Sequence, residues 1–189
     1  MPSIIGGKYK RTTIEVPNKY VRPTSALKRE AIFAILESYA LKHDIDIYKN
    51  KSIIDVFAGS GLIGLEAISR GIRKAYFIEN NENVLKVLEN NCKKICQNKE
   101  YEIIFNSAVK GLNSEFDTKP SIIFIDPPYY KEDINSILLK ILKNEILIKD
   151  TIIIIEINDH IGQWKIFDCF SNIFLTKGTV GYLNISTRS

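Results

Sequence analysis

The sequence predicts an α/β fold with a mostly parallel, seven-stranded sheet, helices on both faces and a small N-terminal β-hairpin arm. From Lys51 onward, short apolar segments alternate with segments of helical periodicity, which is typical of parallel sheets. Some apolar segments are unbroken, as in 152–155, which indicates strands buried on both faces. Another apolar run ends in Asp55 and a glycine-rich turn before a helical segment, so backbone N–H groups are expected to face a ligand there.

An extended, basic arm and one helix come before that alternation. Residues 4–16 mix β-forming and basic side chains and are expected to pair as a short hairpin. Pro23 restricts Arg22 to extended conformations, and Thr24 or Ser25 can cap the helix that follows. That helix is expected at 26–41, with an apolar face at i, i+3 and i+4 spacing made of Ile32, Ile35, Leu36, Tyr39 and Ala40.

The remaining elements are predicted from apolar runs, helical periodicity and stop signals. Gly71 is expected to end the helix after the glycine-rich turn, because glycine readily adopts the left-handed conformation that closes helices. Strands are expected at 52–57, 74–79, 101–105, 121–125, 151–157, one of 165–167 and 173–177, and 179–187. Helices are expected at 62–70, 82–97 and 134–143, with a short helical or loop piece through Leu112. We therefore expect a basic arm at 1–23 and one α/β domain at 24–189.

Length and composition favour a single soluble domain. The chain has 189 residues, of which 45% are hydrophobic, enough for a buried core. No apolar run approaches the roughly 20 residues that span a bilayer, and the first residues lack the apolar core of a secretory signal. The cysteines and histidines lack zinc-site spacing, so reduced thiols are expected at Cys92, Cys96 and Cys169. We expect a cytoplasmic monomer without a metal ion.

Positive charge is concentrated at the N-terminus. The first 30 residues hold seven lysines and arginines against two glutamates, while the whole chain carries a net charge of +4. A basic arm on a nearly neutral body favours a polyanionic partner, most simply a nucleic acid. Tyr9 and Tyr20 lie among these charges, as suits unpaired bases, although tyrosines are also ordinary strand formers. A solvated terminus without a partner remains the alternative interpretation.

Two features after neighbouring strands indicate a nucleoside cofactor. Gly59, Gly61 and Gly64 form a G-x-G-x-x-G pattern four residues after Asp55, and glycines allow close approach of the backbone to a ligand. Glu79 ends the next strand, where a carboxylate can accept hydrogen bonds from both hydroxyls of a ribose. A helix-capping role for Glu79 is the alternative. Nicotinamide enzymes share this pattern, so it does not choose the cofactor.

The most specific signal is the segment Asp126-Pro127-Pro128-Tyr129. The prolines have fixed φ angles and no N–H, so their carbonyls and the carboxylate are acceptors with set directions. The tyrosine offers a ring for stacking. Such a platform suits a planar base with an exocyclic amine, because the acceptors take the amine protons and expose its lone pair to an electrophile.

With these residues in view, the chain resembles the S-adenosylmethionine-dependent methyltransferases that modify exocyclic amines, and more narrowly the RsmD family. The central motifs are shared by many methyltransferases. The narrower resemblance is carried by 4–7, by the segments 22–24 and 29–33, and by the 55–61 turn, together with 126–129 and 177–179. It implies a Rossmann-like methyltransferase fold, S-adenosyl-L-methionine as cofactor, and methylation of a guanine N2 amine in 16S ribosomal RNA. The implied partner is 16S rRNA in the small ribosomal subunit or in an assembly intermediate.

The resemblance also implies roles for individual residues. The catalytic residues would be Asp126, Pro127, Pro128 and Tyr129. The cofactor-binding residues would be Thr24, Asp55, Phe57, Gly59, Gly61, Glu79, Asn80, Ser107, Ala108 and Asp126. The RNA-binding residues would be Lys8, Lys10, Arg11 and Arg22. The chain departs from the family pattern in three ways: Ser107 replaces an asparagine or aspartate, Leu27 replaces an arginine, and the basic arm lacks a glycine that often follows its first lysine or arginine.

Three other functions remain open at this level. The same core could serve an amine methyltransferase that acts on DNA adenine or cytosine, or on another RNA. A nicotinamide-dependent oxidoreductase would account for the glycine turn but leaves the 126–129 segment without a role. A non-catalytic RNA-binding protein would keep the pocket without turnover.

Overall fold

The structure is a computed structural model that describes residues 1–17, 24–97, 99–128, 134–148, 150–156, 171–176 and 180–184, the last two as backbone. The strands are β1 (Ser52–Val56), β2 (Lys74–Glu79), β3 (Tyr101–Phe105), β4 (Pro120–Ile125), β5 (Ile152–Glu156), β6 (Ser171–Thr176) and β7 (Val180–Asn184). The helices are α1 (Ala26–His43), α2 (Leu62–Arg70), α3 (Glu82–Ile95), α4 (Ala108–Gly111) and α5 (Ile134–Lys143).

The seven strands of the described residues form one sheet in the order β3-β2-β1-β4-β5-β7-β6. The first five strands are parallel, whereas β7 runs antiparallel to both β5 and β6. The predicted mostly parallel, seven-stranded sheet is therefore confirmed. Of the two alternatives for the sixth strand, 173–177 is close to the observed β6, and 165–167 lies outside the described residues. The strand order reverses between β1 and β4, the position at which open α/β sheets bind ligands.

Apolar side chains cover both faces of the sheet. One core joins α1, α2 and α3 to one face through residues such as Phe33, Leu65 and Leu88. The other joins α4 and α5 to the opposite face through Ile137 and Ile141. β1, β4 and β5 supply side chains to both cores, which explains their unbroken apolar sequences. Within the described ranges, no helix has the length and apolar character needed to cross a membrane.

Residues 1–17 lie against the α2–α3 side of the domain. The predicted hairpin is reduced to one antiparallel bridge, between Ser3 and Thr13, although Ile4 and Ile14 beside it are fully buried. The Glu66 carboxylate of α2 accepts hydrogen bonds from the backbone N–H groups of Ile5 and Gly6, at 2.8 and 2.7 Å. Because Glu66 is itself 0% exposed, this contact makes the N-terminal segment part of the packed structure.

Helix α1 begins where the sequence predicts it. The Ser25 hydroxyl accepts a hydrogen bond from the Lys28 N–H, so Ser25 rather than Thr24 is the N-cap. Sequence periodicity did not predict that Arg29 would be fully buried. Its guanidinium donates to the carbonyls of Thr24 and Ser3, at 2.5 and 2.7 Å, and so joins the start of α1 to the N-terminal segment.

Candidate active site

Four acidic side chains lie at the carboxyl ends of neighbouring strands. Asp55, Glu79, Asp126 and Glu156 come from the ends of β1, β2, β4 and β5. Each follows or closes an apolar run, so the parallel order of the strands brings the four acids to the same edge. The sequence predicted the first three as site residues and missed Glu156. The signal was present, because Glu156 ends Ile152–Ile155 as Asp126 ends Ile122–Ile125.

The glycine-rich turn between β1 and α2 depends on left-handed backbone conformations. Phe57, Gly59 and Gly61 have φ angles of 65°, 55° and 79°, and the value at Phe57 is uncommon for a residue with a side chain. The N–H groups of Phe57 and Ala58 donate to the carbonyl of Ile78, at 3.0 and 3.1 Å, which ties the turn to β2. Gly61 is the N-cap of α2, so the helix starts at the sheet edge with its N-terminal N–H groups toward the site.

Gly64 has a packing role that its place in the pattern does not indicate. A Cβ atom at this position would lie 2.3 Å from the ring of Phe77. The absence of a side chain therefore lets α2 approach β2 closely. Gly64 also donates its N–H to Asp55 Oδ2, at 3.0 Å, so it orients the carboxylate of that residue.

Asp55 is almost completely buried, with 2% of its surface exposed. Burial raises the pKa of Asp55 well above its ordinary value, and the nearby charges of Asp126 and Glu79 raise it further, against the lowering effect of the Gly64 hydrogen bond. A positively charged ligand beside these carboxylates would offset that cost. The sequence alone could not show this burial, although it placed Asp55 in the site.

Glu79 supports the turn and keeps room for a ligand. Its Oε2 accepts from the N–H of Gly59 at 2.8 Å, and its Oε1 accepts from the N–H groups of Asn80 and Asn81 at 2.9 and 2.8 Å. Asn81, not Glu79, is the N-cap of α3, because the Asn81 side chain accepts from the Asn83 N–H. A carboxylate offers about four lone-pair positions, so three N–H contacts leave capacity for a ribose hydroxyl.

Asp126 begins the proline platform immediately after β4. Its N–H donates to the Val56 carbonyl at 3.4 Å, which extends the β4–β1 pairing by one residue. Burial raises the pKa of Asp126 to about 7; the charge of Glu156 also raises it, and the charge of Lys28 lowers it. Pro127 is half-buried and Pro128 is exposed, and Tyr129 lies outside the described residues.

Lys28 and Glu156 form an ion pair beside this platform, which the sequence did not predict. Lys28 Nζ contacts Glu156 Oε1, and the two side chains are 22% and 10% exposed. The pair connects the first turn of α1 to the end of β5. At the preceding position, where the family pattern has an arginine, Leu27 is 79% exposed. The cation on this part of α1 is therefore supplied by Lys28.

The remaining predicted cofactor residues fall at two places on the same side of the molecule. Asn80 is exposed after β2, while Ser107 and the buried Ala108 follow β3, where the Asn106 N–H donates to the Glu79 carbonyl at 3.1 Å. Thr24 lies just before α1, and its carbonyl is held by Arg29. The strand order and the hydrogen bond between Asn106 and Glu79 bring the residues after β2 and β3 together.

The predicted RNA-binding residues Lys8, Lys10 and Arg11 are exposed on a turn at some distance from the glycine-rich turn. The Lys8 N–H donates to the Ser69 carbonyl, at 2.7 Å, near the C-terminal end of α2. Since Ser69 comes seven residues after the first residue of α2, this contact lies roughly 11 Å along the helix from its start at the sheet edge. Arg22 lies outside the described residues.

The chemistry of this edge fits S-adenosyl-L-methionine. Burial disfavours the charges of Asp55 and Asp126, and so do nearby carboxylates, which are Asp126 and Glu79 for Asp55 and Glu156 for Asp126. A ligand with a sulfonium and an ammonium group would place positive charge beside them. A hydroxyl of its ribose could donate to the remaining acceptor position of Glu79, next to the left-handed backbone of Gly59 and Gly61. The residues present therefore fit the cofactor.

Comparison with known proteins agrees with this geometry. A family model described as "Conserved hypothetical protein 95" matches residues 3–183. The Bacillus subtilis (strain 168) protein YlbH is 28% identical over 98% of this chain and 97% of its own length. The "Ribosomal RNA small subunit methyltransferase D" of Buchnera aphidicola subsp. Acyrthosiphon pisum (strain APS) is 34% identical over 68% of this chain and 63% of its own.

The solved structures extend the comparison to the fold. An RNA methyltransferase from Salinibacter ruber, solved in complex with S-adenosyl-L-homocysteine, superposes with a TM-score of 0.62 at 15% identity, over 89% of this chain and 95% of that one. The sheet order and the packing of helices on both faces are those of a Rossmann-like methyltransferase. Since the family model matches nearly the whole chain, this chain belongs to the RsmD family of S-adenosylmethionine-dependent methyltransferases.

Proposed function

We propose that this chain transfers a methyl group from S-adenosyl-L-methionine to the exocyclic N2 amine of one guanine in 16S ribosomal RNA. The observation that carries the proposal is the position of Asp126-Pro127-Pro128 beside the Asp55 and Glu79 carboxylates, at one edge of the sheet. This arrangement places acceptors for an amine next to the residues that fit the cofactor. Relatives named for ribosomal RNA small subunit methylation support this choice of substrate.

The base would be held through its amine. The Asp126 carboxylate and the Pro127 carbonyl would accept the two N2 protons, and the ring of Tyr129 would stack on the base plane. Bound S-adenosylmethionine supplies an electrophilic methyl group. The N2 nitrogen would attack it directly and in line, and the new C–N bond would form as the carbon–sulfur bond breaks. Because its pKa is about 7, ionised Asp126 can take the proton that N2 loses.

The cofactor would be held by the edge that the four strands create. The Asp55 carboxylate and the backbone of Gly59 and Gly61 would contact the methionine end, and Glu79 would accept a hydrogen bond from a ribose hydroxyl at its remaining acceptor position. Phe57, Asn80, Ser107, Ala108 and Thr24 would line the same site.

We further propose that residues 1–23 bind RNA through Lys8, Lys10, Arg11 and Arg22. Lys8, Lys10 and Arg11 are exposed at a distance from the sheet edge, which suits a large, folded RNA whose phosphates extend beyond the target nucleotide. The substrate would be 16S rRNA in the small subunit or in an assembly intermediate. The chain would act as a cytoplasmic monomer.

The test compares substrates and products directly. Labelled cofactor is incubated with small ribosomal subunits, naked 16S rRNA and duplex DNA, all prepared from cells that lack the gene. We expect label in the rRNA, recovered by mass spectrometry as a single N2-methylguanosine. Label in DNA, or in another position of the RNA, would support the alternative amine methyltransferase. Absence of label from all three substrates would reject the proposed reaction.

A further inference from the structure

A second carboxylate, that of Glu156, lies beside the proline platform that begins at Asp126. The β4–β5 register pairs Ile125 with Ile155, so Asp126 and Glu156 follow as neighbours at the ends of these strands. Ile125 and Ile155 point to the α4–α5 face, and side chains alternate along a strand. Asp126 and Glu156 therefore point to the opposite face, toward the first turn of α1. The charge of Glu156 raises the pKa of Asp126, as expected of neighbouring anions.

The two oxygens of Glu156 have different surroundings. Oε1 contacts Lys28 Nζ, whereas Oε2 is buried and has no hydrogen-bond donor among the described residues. The side chain is 10% exposed, so solvent reaches little of it. A buried acceptor without a donor is costly and uncommon in folded proteins. An oxygen of this kind beside a substrate platform therefore indicates that the substrate supplies the donor.

We propose that Glu156 Oε2 accepts the N1–H of the target guanine, so that Glu156 reads the base while Asp126 holds its amine. This inference rests on the proposed function. In guanine the N1–H donor lies next to the N2 amine, so neighbouring carboxylates can meet neighbouring donors. Adenine and cytosine carry an unprotonated ring nitrogen beside their amine, and that lone pair would face the carboxylate and be repelled. Glu156 is then a specificity residue for guanine.

Lys28 acts in this arrangement as a positioning residue. Its ammonium holds Oε1 in an ion pair, which leaves Oε2 in place for the base. It also offsets part of the repulsion between the two carboxylates, since its charge lowers the pKa of Asp126. The competing interpretation is that the ion pair only fastens α1 to the end of β5. The two interpretations differ in whether base selectivity depends on Glu156.

The test measures selectivity between two bases that share the reacting amine. The target position is first mapped by mass spectrometry, and 16S rRNA carrying guanine or 2-aminopurine there is prepared by ligation. 2-Aminopurine keeps the amine but has no N1–H. For the unaltered protein we expect kcat/KM to favour guanine by about 10- to 100-fold. Glu156→Gln is expected to reduce kcat/KM for guanine and to bring the guanine/2-aminopurine ratio close to one.

Controls separate base reading from folding. Glu89→Gln changes an exposed Glu–Lys pair on α3 and should leave the ratio unchanged. The melting temperature and the S-adenosylhomocysteine affinity report whether each variant is folded. Should Glu156→Gln fail to fold, Glu156→Asp keeps the charge opposite Lys28 but withdraws the oxygens by one methylene, and its ratio should also fall.

Each outcome decides the inference. A guanine/2-aminopurine ratio that stays within about twofold of the unaltered value in a folded Glu156 variant would overturn the role of Glu156. An unaltered protein that methylates guanine and 2-aminopurine equally well would also overturn it. Both results would leave the proposed function standing. An unaltered protein that methylates neither base would overturn both.

Discussion

Asp126 carries a charge that its surroundings disfavour. Burial and the charge of Glu156 raise its pKa to about 7, and the Lys28 ammonium compensates only in part. A solvated aspartate would remain ionised but would compete poorly as an acceptor in water. On the proposed function, an aspartate with a pKa of about 7 would bind the amine and then take its proton. The burial that disfavours the charge of Asp126 would therefore also fit this residue for proton transfer.

Replacement of Asp126 should stop methyl transfer with little effect on cofactor binding. We expect Asp126→Ala to lower kcat on 16S rRNA by at least about 100-fold, since it removes both an amine acceptor and the proton acceptor. Calorimetric titration should show an S-adenosylhomocysteine affinity close to that of the unaltered protein. Asp117→Ala, on an exposed aspartate before β4, is the matched control. Near-normal turnover by Asp126→Ala would contradict the assignment of the site.

The same residue should reduce stability at neutral pH. A carboxyl whose folded-state pKa is raised contributes stability that is present below its unfolded value, near 4, and is lost as the pH rises toward 7. Asp126→Asn should therefore be more stable than the unaltered protein at pH 8, by about 1 to 4 kcal/mol. Urea unfolding at pH 8, 6 and 4.5 should show this difference shrinking as the pH falls. A difference that is constant with pH would argue against a raised pKa.

At the scale of elements, Glu66 joins the N-terminal segment to α2. Its carboxylate receives the N–H groups of Ile5 and Gly6 and the Arg70 Nε, the last at 3.0 Å. The Asn91 side chain on α3 makes a second connection, because it forms hydrogen bonds with the backbone of Glu15 and with the Ser60 carbonyl. Asn91 thus links the N-terminal segment to the glycine-rich turn through a single side chain.

Glu66→Gln should destabilise the protein although it changes only one atom. The amide nitrogen would turn a donor toward groups that are themselves donors, inside a fully buried site. We expect a loss of about 2 to 4 kcal/mol in the free energy of unfolding by urea, together with faster proteolysis near Lys8 and Lys10. Glu37→Gln is the control, because it contacts the same arginine from an exposed position and should cost less than about 1 kcal/mol. Equal losses in the two variants would contradict the proposed joint.

In the molecule as a whole, the turn that carries Lys8 and Lys10 and the sheet edge that carries the candidate site are separate surfaces. Lys8 and Lys10 lie near the C-terminal end of α2, whereas the glycine-rich turn lies at its start. An RNA that contacts both must therefore extend along the α2 side of the domain. On the proposed function, RNA affinity would depend on the first surface and methyl transfer on the second, so substitutions could change the two independently.

Removal of two cations from this turn should weaken RNA binding without changing the reaction. We expect the double variant Lys8→Gln/Lys10→Gln to raise the Kd for 16S rRNA and to reduce the slope of log K against log salt by about 1.4 to 1.8 in total. The value of kcat at saturating RNA should change little. Lys110→Gln/Lys143→Gln, which removes two exposed lysines from the opposite face, is the matched control. If the two double variants reduced the slope equally, the effect would come from the net charge of the protein and not from a specific RNA-binding surface.

Much of the fold and of the site could be predicted because the decisive signals are local. Apolar runs located β1–β5, and Gly71 ends α2 with a φ angle of 115°, as its residue type indicates. The acids after the strands could be assigned to one edge because parallel strands end together. The buried Arg29, the Glu66 joint and the Lys28–Glu156 pair could not be predicted, since each joins residues far apart in the chain.

The element order, the type of sheet, the family and three of the four edge carboxylates could therefore be predicted, because they follow from short-range periodicity and from motifs. Which of these groups are buried, and what each one faces, follows from the fold: the raised pKa of Asp126, the close approach of α2 to β2 at Gly64, and the Glu156 oxygen that has no hydrogen-bond donor among the described residues. The physical reason is that desolvation and charge pairing depend on distances through space, which sequence spacing does not contain.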